Sequence, residues 1–466
     1  MSYNSTPAFL TLAEAAYKLH THQVTSVELT EACLERIATY NSKLNAFITV
    51  NEKQALDAAR KADRELNAGK DLGPLHGIPF AAKDNIDTAG VLTTGGSALF
   101  KDRIPGEDAT VIRLLKAAGS VLVGKTNLQE FALGASNNSP WGPGRNPWNP
   151  LRYSGGSSSG SGAAVAAFMC YAALGTDTGG SVRIPAGYCG LVGLKPTYGL
   201  VPVRGIIPGI LSHDHCGWLT RMVEDAAIML NALAAYDPLD PTSLEHRKED
   251  YVTGMRQPVA HLRVGIPAGR FEALQPDVER AVTEAISLLG TITKGTTEMT
   301  LPPVGNAIHL DAEILAWHQR HFEAQPDKYS EPVRRSLIRA TAAKTTAVDY
   351  IRARWEMEEL RRKVDDVFAE VDLVAMPTTR VVAPPIDELL QRDASLEPAD
   401  PLMDYPNCIP FNVYGLPAIS VPCGFSQDGM PIGMMIAGPR FSESRVLALA
   451  RAYEQATDWH RRLPPL

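Results

Sequence analysis

Residues 173–199 read ALGTDTGGSVRIPAGYCGLVGLKPTYG, and Gly179 and Gly180 stand directly before Ser181. A glycine pair opens backbone conformations that residues carrying a Cβ avoid. Successive amides can then turn toward one oxygen and form an anion-binding nest. A serine at the end of such a nest can attack a carbonyl while the nest holds the developing oxyanion, each donor being worth about 2.7–4 kcal/mol. Around this segment, helical stretches such as DATVIRLLKAAG (108–119) alternate with short strands such as VLVGKTN (121–127). That alternation predicts an α/β fold, a parallel or mixed sheet with helices on its faces.

A serine nucleophile needs a base. GIPFAAKDNI (77–86) carries Lys83 in apolar surroundings on a strand candidate interrupted by Pro79. Burial disfavours the ammonium form, so a buried Lys83 can accept a proton at neutral pH. Ser-Lys catalysis is an established variant of the serine nucleophile.

GGSSSGSG (155–162) admits three readings. A flexible linker is opposed by GSGAAVAAFMCYAA (160–173), a small-residue helix into which it runs. A phosphate cradle needs Gly-Lys-Ser/Thr or a preceding strand, and GRNPWNPLRYS (144–154) is turn-like. GSSSG (156–160) also satisfies G-x-S-x-G, with Ser158 as the nucleophile of an esterase elbow. That elbow needs a strand directly before it and a later histidine with an acid. His309, His318, His321 and His460 carry no telling context.

GIPFAAKDN, GGSSSGSGAA and GTDTGGSVRIPAGYCGLVGLKPTYG, in this order and spacing, resemble the amidase signature family. NVYGLPAISVPCGF (412–425) and DGMPIGMMIAGPRF (428–441) extend the resemblance over nearly the whole chain. It implies a three-layer α/β/α architecture with a large central mixed sheet covered by helices. It also implies a single amidase domain over 1–466: a helical segment (1–66), the core with the triad (67–236), a strand and helical pocket region (237–370) and C-terminal strands with a helix (371–466). The resemblance further implies a Ser–cis-Ser–Lys triad, with Lys83 as base, Ser157 as bridging serine and Ser181 as nucleophile. Backbone amides of Thr178, Gly179, Gly180 and Ser181 are expected to hold the oxyanion. No metal or organic cofactor is implied.

Similarity around FALGASNN (131–138) places Phe131 and Leu133 at the pocket, and Ile207, Ile210, Leu211 and Trp218 are candidates for an apolar wall. Such a pocket suits a neutral hydrophobic amide, an aryl amide first, or a carbamate or phenylurea. The alternative is the glutaminase subunit of a tRNA-dependent amidotransferase. Those subunits carry a Tyr-rich helix, whereas TAVDYIRARWEMEELR (346–361) looks more like stand-alone amidases. His213 and Trp218 depart from the family's usual Leu and Pro, and Met434 and Met435 replace its Gly-Leu-Gln pattern; all leave the substrate open. Intact Lys83, Ser157 and Ser181 argue against a non-catalytic scaffold.

The remaining features are plainer. A net charge of −7 over 466 residues argues against nucleic acid as the main partner. Six cysteines without CxxC spacing read as reduced, buried thiols. The N-terminus lacks a basic n-region and a cleavage site, and no apolar run reaches ~18 residues, so a cytoplasmic protein with no membrane span is expected. A homodimer is common for such enzymes. His213 and His215 form an H-x-H without further fitting ligands. Asp177 and Arg183 are expected to form a supporting ion pair, and Lys195 to be structural.

Overall fold

The computed structural model describes residues 6–133, 139–305, 308–394 and 406–466. Helices Leu12–His20 and Ser26–Leu44 open the chain. Thr25 caps the second helix. Its side chain accepts from the Glu28 amide while the Glu28 carboxylate accepts from the Thr25 amide. Ser26 is the first helical residue, and its hydroxyl donates to the Gly77 carbonyl at 2.7 Å. The sequence reads as helical over 9–66, but Asn45 at φ 50° ends the helix in the left-handed conformation. The β-branched segment that follows is a strand, β1 (Phe47–Val50), before helix Glu52–Asn67 resumes.

The further strands are β2 (Pro79–Lys83), β3 (Val121–Thr126), β4 (Arg145–Asn146), β5 (Asn149–Tyr153), β6 (Ala172–Asp177), β7 (Val192–Lys195) and β8 (His215–Thr220). After the turn-rich 236–243 come β9 (Arg263–Pro267), β10 (Gly295–Met299), β11 (Leu373–Pro377), β12 (Ala418–Phe425) and β13 (Pro431–Ala437). Eleven of them form one mixed sheet in the order β1-β3-β2-β6-β8-β7-β12-β13-β11-β9-β10, while β4 and β5 pair separately. Pro79 is the first residue of β2, where its missing N–H costs the ladder least. The helix expected over 160–173 stops at Ala166, and Phe168 at φ 59° turns the chain into β6. A short Ala-rich apolar run does not by itself distinguish helix from buried strand.

The layering follows from strand parity. On β8, Gly217 faces Val182, the residue that leads into helix Arg183–Cys189. Its neighbour Trp218 donates its indole N–H to the Ala226 carbonyl of helix Val223–Leu233 at 3.1 Å. Successive strand residues point to opposite faces, so these two helices cover opposite faces of the sheet. A Cβ on Gly433 would stand 2.7 Å from the Gly187 Cα, so the first helix lies flat against β13. The region 305–370 forms helices Ile308–Ala324, Glu331–Ala343 and Ala347–Lys363. All six cysteines are buried. No helix among the described residues is long and apolar enough to cross a membrane.

Candidate active site

Parallel strands β2 and β6 are neighbours, so their C-terminal ends meet at one edge of the sheet, the usual place for ligands in open α/β sheets. β2 ends on Lys83, and β6 ends on Asp177 and runs into the 178–182 turn. Lys83 is fully buried, and its Nζ lies 2.7 Å from both Ser157 Oγ and Thr176 Oγ1. The Gly156–Ser157 peptide is cis. Burial pushes the Lys83 amine down to about 7, against the carboxylates of Asp177 and Asp214, which act to raise it. The Ser158 amide donates to the Ser181 carbonyl at 3.3 Å, joining the Gly/Ser loop to the turn that carries Ser181. Ser181, Thr178 and Gly179 are half-buried, so solvent reaches this turn.

Ser158 does not fit a nucleophile elbow. It is fully buried with its hydroxyl donating to the Thr176 carbonyl, and the strand before it lies in the separate β4–β5 hairpin. The oxyanion donors need a correction too. The Gly180 amide donates to Asp177 Oδ1 at 2.8 Å, which removes it from the expected set of four. The amides of Thr178, Gly179 and Ser181 find no acceptor among the described residues. Gly180 has φ 122°, and a Cβ there would stand 2.6 Å from Cys408 Cβ.

Behind the turn, Asp177 and Arg183 form a buried two-point pair, with Arg183 Nη2 to Oδ1 at 2.8 Å and Nε to Oδ2 at 3.0 Å. Burial acts to raise the Asp177 carboxyl, but the Arg183 charge outweighs it and holds the group well below the usual carboxylate range. Asn412 donates to Asp177 Oδ1 at 2.9 Å and accepts from Arg183 at 2.7 Å. Thr178 Oγ1 donates to Asp214 Oδ1 at 2.5 Å, and burial pushes Asp214 up to about 6. Thr176, Asn412 and Asp214 are absent from the sequence-derived site. Thr176 lies within the 173–199 motif and Asn412 opens NVYGLP, yet neither spacing reveals a contact made by the fold. Lys125 is likewise missed: fully buried, it donates to the Ile86 carbonyl at 2.6 Å and Thr93 Oγ1 at 2.7 Å, bracing the loop after Lys83. Lys195 donates to the Leu416 carbonyl at 2.6 Å and to His215 at 3.2 Å. His213 and His215 point apart, His213 meeting His309 at 3.1 Å.

A narrow cleft beside Thr178, lined by Asn85, Ala132, Ile207 and Asp214, shares Val203, Ile206, Pro208 and Leu211 with a cavity of about 650 Å³. Phe131, Leu133 and Ile207 gather in one apolar cluster against Ile210, Trp317 and Tyr329. Trp218 does not join them. It sits in the main core between Leu174 and Leu194, on the face covered by helix Val223–Leu233. Residues 134–138 of FALGASNN lie outside the described residues. His318 joins the aromatic cluster, 3.2 Å from the Tyr329 hydroxyl.

Residues 28–447 match the amidase family. The chain belongs to the amidase family. Its members hydrolyse amide bonds, and this chain is an amide-hydrolysing enzyme. It is similar to a glutamyl-tRNA(Gln) amidotransferase subunit from Geobacter sp. (strain M21), with 38% identity covering 98% of this chain and 99% of that protein. The crystal structure of the corresponding glutamyl-tRNA(Gln) amidotransferase subunit from Thermotoga maritima matches this amidase with a TM-score of 0.81 and 34% identity, over 97% of this chain and 96% of that one. The structure of 6-aminohexanoate cyclic dimer hydrolase with its substrate matches with a TM-score of 0.87 and 29% identity, over 98% and 99% of the two chains.

Proposed function

We propose that this chain hydrolyses amides through a Ser181 acyl-enzyme, with Ser157 as proton relay and Lys83 as base. The observation that carries the reading is the 2.7 Å contact from Lys83 Nζ to Ser157 Oγ, made by a lysine that burial leaves about half neutral near pH 7. Lys83 takes the Ser157 hydroxyl proton while Ser157 takes that of Ser181, a hydroxyl being both donor and acceptor. Ser181 Oγ bonds to the amide carbon and the carbonyl electron pair moves onto oxygen, where the amides of Thr178, Gly179 and Ser181 hold it. The oxyanion collapses, the C–N bond breaks, and the proton returns through Ser157 to the departing nitrogen. Water then adds to the ester by the same relay, and cleavage of the C–Oγ bond restores Ser181. The products are a carboxylic acid and ammonia or an amine.

For the substrate we take the side-chain amide of glutamine, with this chain as the glutaminase subunit of a tRNA-dependent amidotransferase that passes ammonia to partner chains. The support is the run of relatives bearing that subunit's name, 38% identical over 98% of this chain in the Geobacter case. The reading places the chain in the cytoplasm. A second reading, a stand-alone hydrolase of neutral hydrophobic amides such as anilides, carbamates or phenylureas, draws support from the Phe131, Trp317 and Tyr329 rings beside the cleft.

The test is to treat the purified chain with a fluorophosphonate, map the modified serine, and compare turnover of glutamine and an anilide. Label on Ser181 and turnover lost in Lys83→Ala are expected. Label on Ser158, or near-normal Lys83→Ala turnover across neutral pH, overturns the triad. An isolated chain at least tenfold faster on the anilide than on glutamine replaces the glutaminase reading with the second one.

A further inference from the structure

The loop 209–215 lends Asp214 and His215 to the cleft at Thr178, and His213 to a different cavity of about 630 Å³. His213 and His309 meet there, both buried, with their Nε2 atoms 3.1 Å apart and the rings edge to face. Met357, Leu360, Val413 and Ile409 form apolar walls. Ile409 is half-buried, and its Cγ1 stands 3.3 Å from where a Gly179 Cβ would lie. Ile409 therefore stands between this cavity and Gly179, two residues before Ser181.

Two imidazoles joined Nε2 to Nε2 share one proton, so one ring donates and the other accepts. The donating ring then has a bare Nδ1, and the accepting ring carries its proton on Nδ1. In either polarity one Nδ1 is a donor and the other an acceptor. His309 Nδ1 is buried with no partner among the described residues. An unmade buried bond of this kind is costly and calls for a ligand or a functional role. Burial lowers both imidazoles and keeps them neutral, and the nearby charges of Arg354, Arg361 and Glu313 do not reverse it. Those charges are already engaged: Arg354 with Glu313, and Arg361 with Glu358 and the Ser212 and Val413 carbonyls.

We propose that this cavity seats one substituent of the scissile amide, and that the His213–His309 pair selects a neutral apolar group bearing a single hydrogen-bonding heteroatom, such as a phenol. The inference rests on Ser181 as nucleophile and adds to glutamine an activity on larger amides, cleaved by the same hydrolysis.

The test compares kcat/KM for 4-hydroxyphenylacetamide against phenylacetamide, which vary the acyl side, and for 4-hydroxyacetanilide against acetanilide, which vary the amine side. Glutamine turnover and fluorophosphonate labelling of Ser181 serve as controls. One pair is expected to show a preference of about tenfold for the hydroxylated member, the worth of one neutral hydrogen bond. His309→Leu erases that preference, and His309→Gln restores part of it. Ala353→Phe, which narrows the cavity, lowers turnover of the aryl amides alone. No preference in either pair, a preference that survives His309→Leu, or an equal loss on every substrate overturns the proposal. Failure of Ser181 to label overturns instead the reading on which it rests.

Discussion

Lys83 sits between two hydroxyls with an amine pushed down to about 7. Only the neutral amine accepts a proton, so kcat/KM should rise with pH through about 7 and level off above it. Lys83→Ala should remove that limb and lower kcat by about 10³-fold or more, as loss of a triad member does. The same residue makes a stability prediction. Its folded value lies below the ordinary 10.5, so between about 7 and 10.5 the unfolded chain holds a proton that the folded chain lacks. Stability therefore rises with pH through that window. Lys83→Met, of similar volume, should melt no lower than the parent at pH 6, and its advantage should shrink toward pH 10. Lys83, Ser157 and Ser181 are legible in the sequence because each sits in a dense, ordered motif. The role of Gly180 is not legible, because its amide belongs to Asp177 only once the carboxylate folds under the turn.

At the scale of elements, the 177–183 turn is held by Asp177, Arg183 and Asn412, the last from helix Ile409–Val413, far along the chain. Arg183→Met leaves Asp177 buried and unpaired, and should cost about 3–5 kcal/mol in urea unfolding. A second element is set by Glu130. Its Oε1 accepts from Ser97 Oγ at 2.5 Å and its Oε2 from the Ser330 amide at 2.8 Å, fixing the start of helix Glu331–Ala343 next to Tyr329. Glu130→Ala should raise KM for aryl amides several-fold and leave glutamine turnover near the parent value, measured by steady-state kinetics on both. Long charged helices such as Ala347–Lys363 and apolar strands such as β11 to β13 are readable directly. β1 and the start of β6 are not, because FITV and an Ala-rich run are compatible with either state until a neighbouring strand pairs with them.

Over the whole molecule, buried carboxylates couple stability to pH. Glu454, on helix Glu443–Gln455, accepts from the Val223 amide at 2.9 Å, and burial beside Asp225 pushes it from 4.5 up to about 8. The folded chain thus holds a proton the unfolded chain loses above about 4.5. The contribution is full below that value and lost as pH rises through about 8. Glu454→Gln keeps the acceptor without the charge. It should match the parent's melting temperature at pH 5 and exceed it by a few degrees at pH 9, read by calorimetry.

The family, the α/β class and the identity of the three residues proposed as the triad can all be read from the chain before it folds, since local motifs carry backbone and side-chain chemistry together. The destinations of the apolar candidates follow instead from tertiary packing. Phe131, Leu133 and Ile207 converge under helices from 308–343, while Trp218 turns away into the core by strand parity. Packing likewise gives the Gly180 amide to Asp177 and brings His213 to His309. These partners lie 3 residues apart in one case and 96 in the other. In both, the contact depends on how strands and helices pack, which motif spacing does not encode.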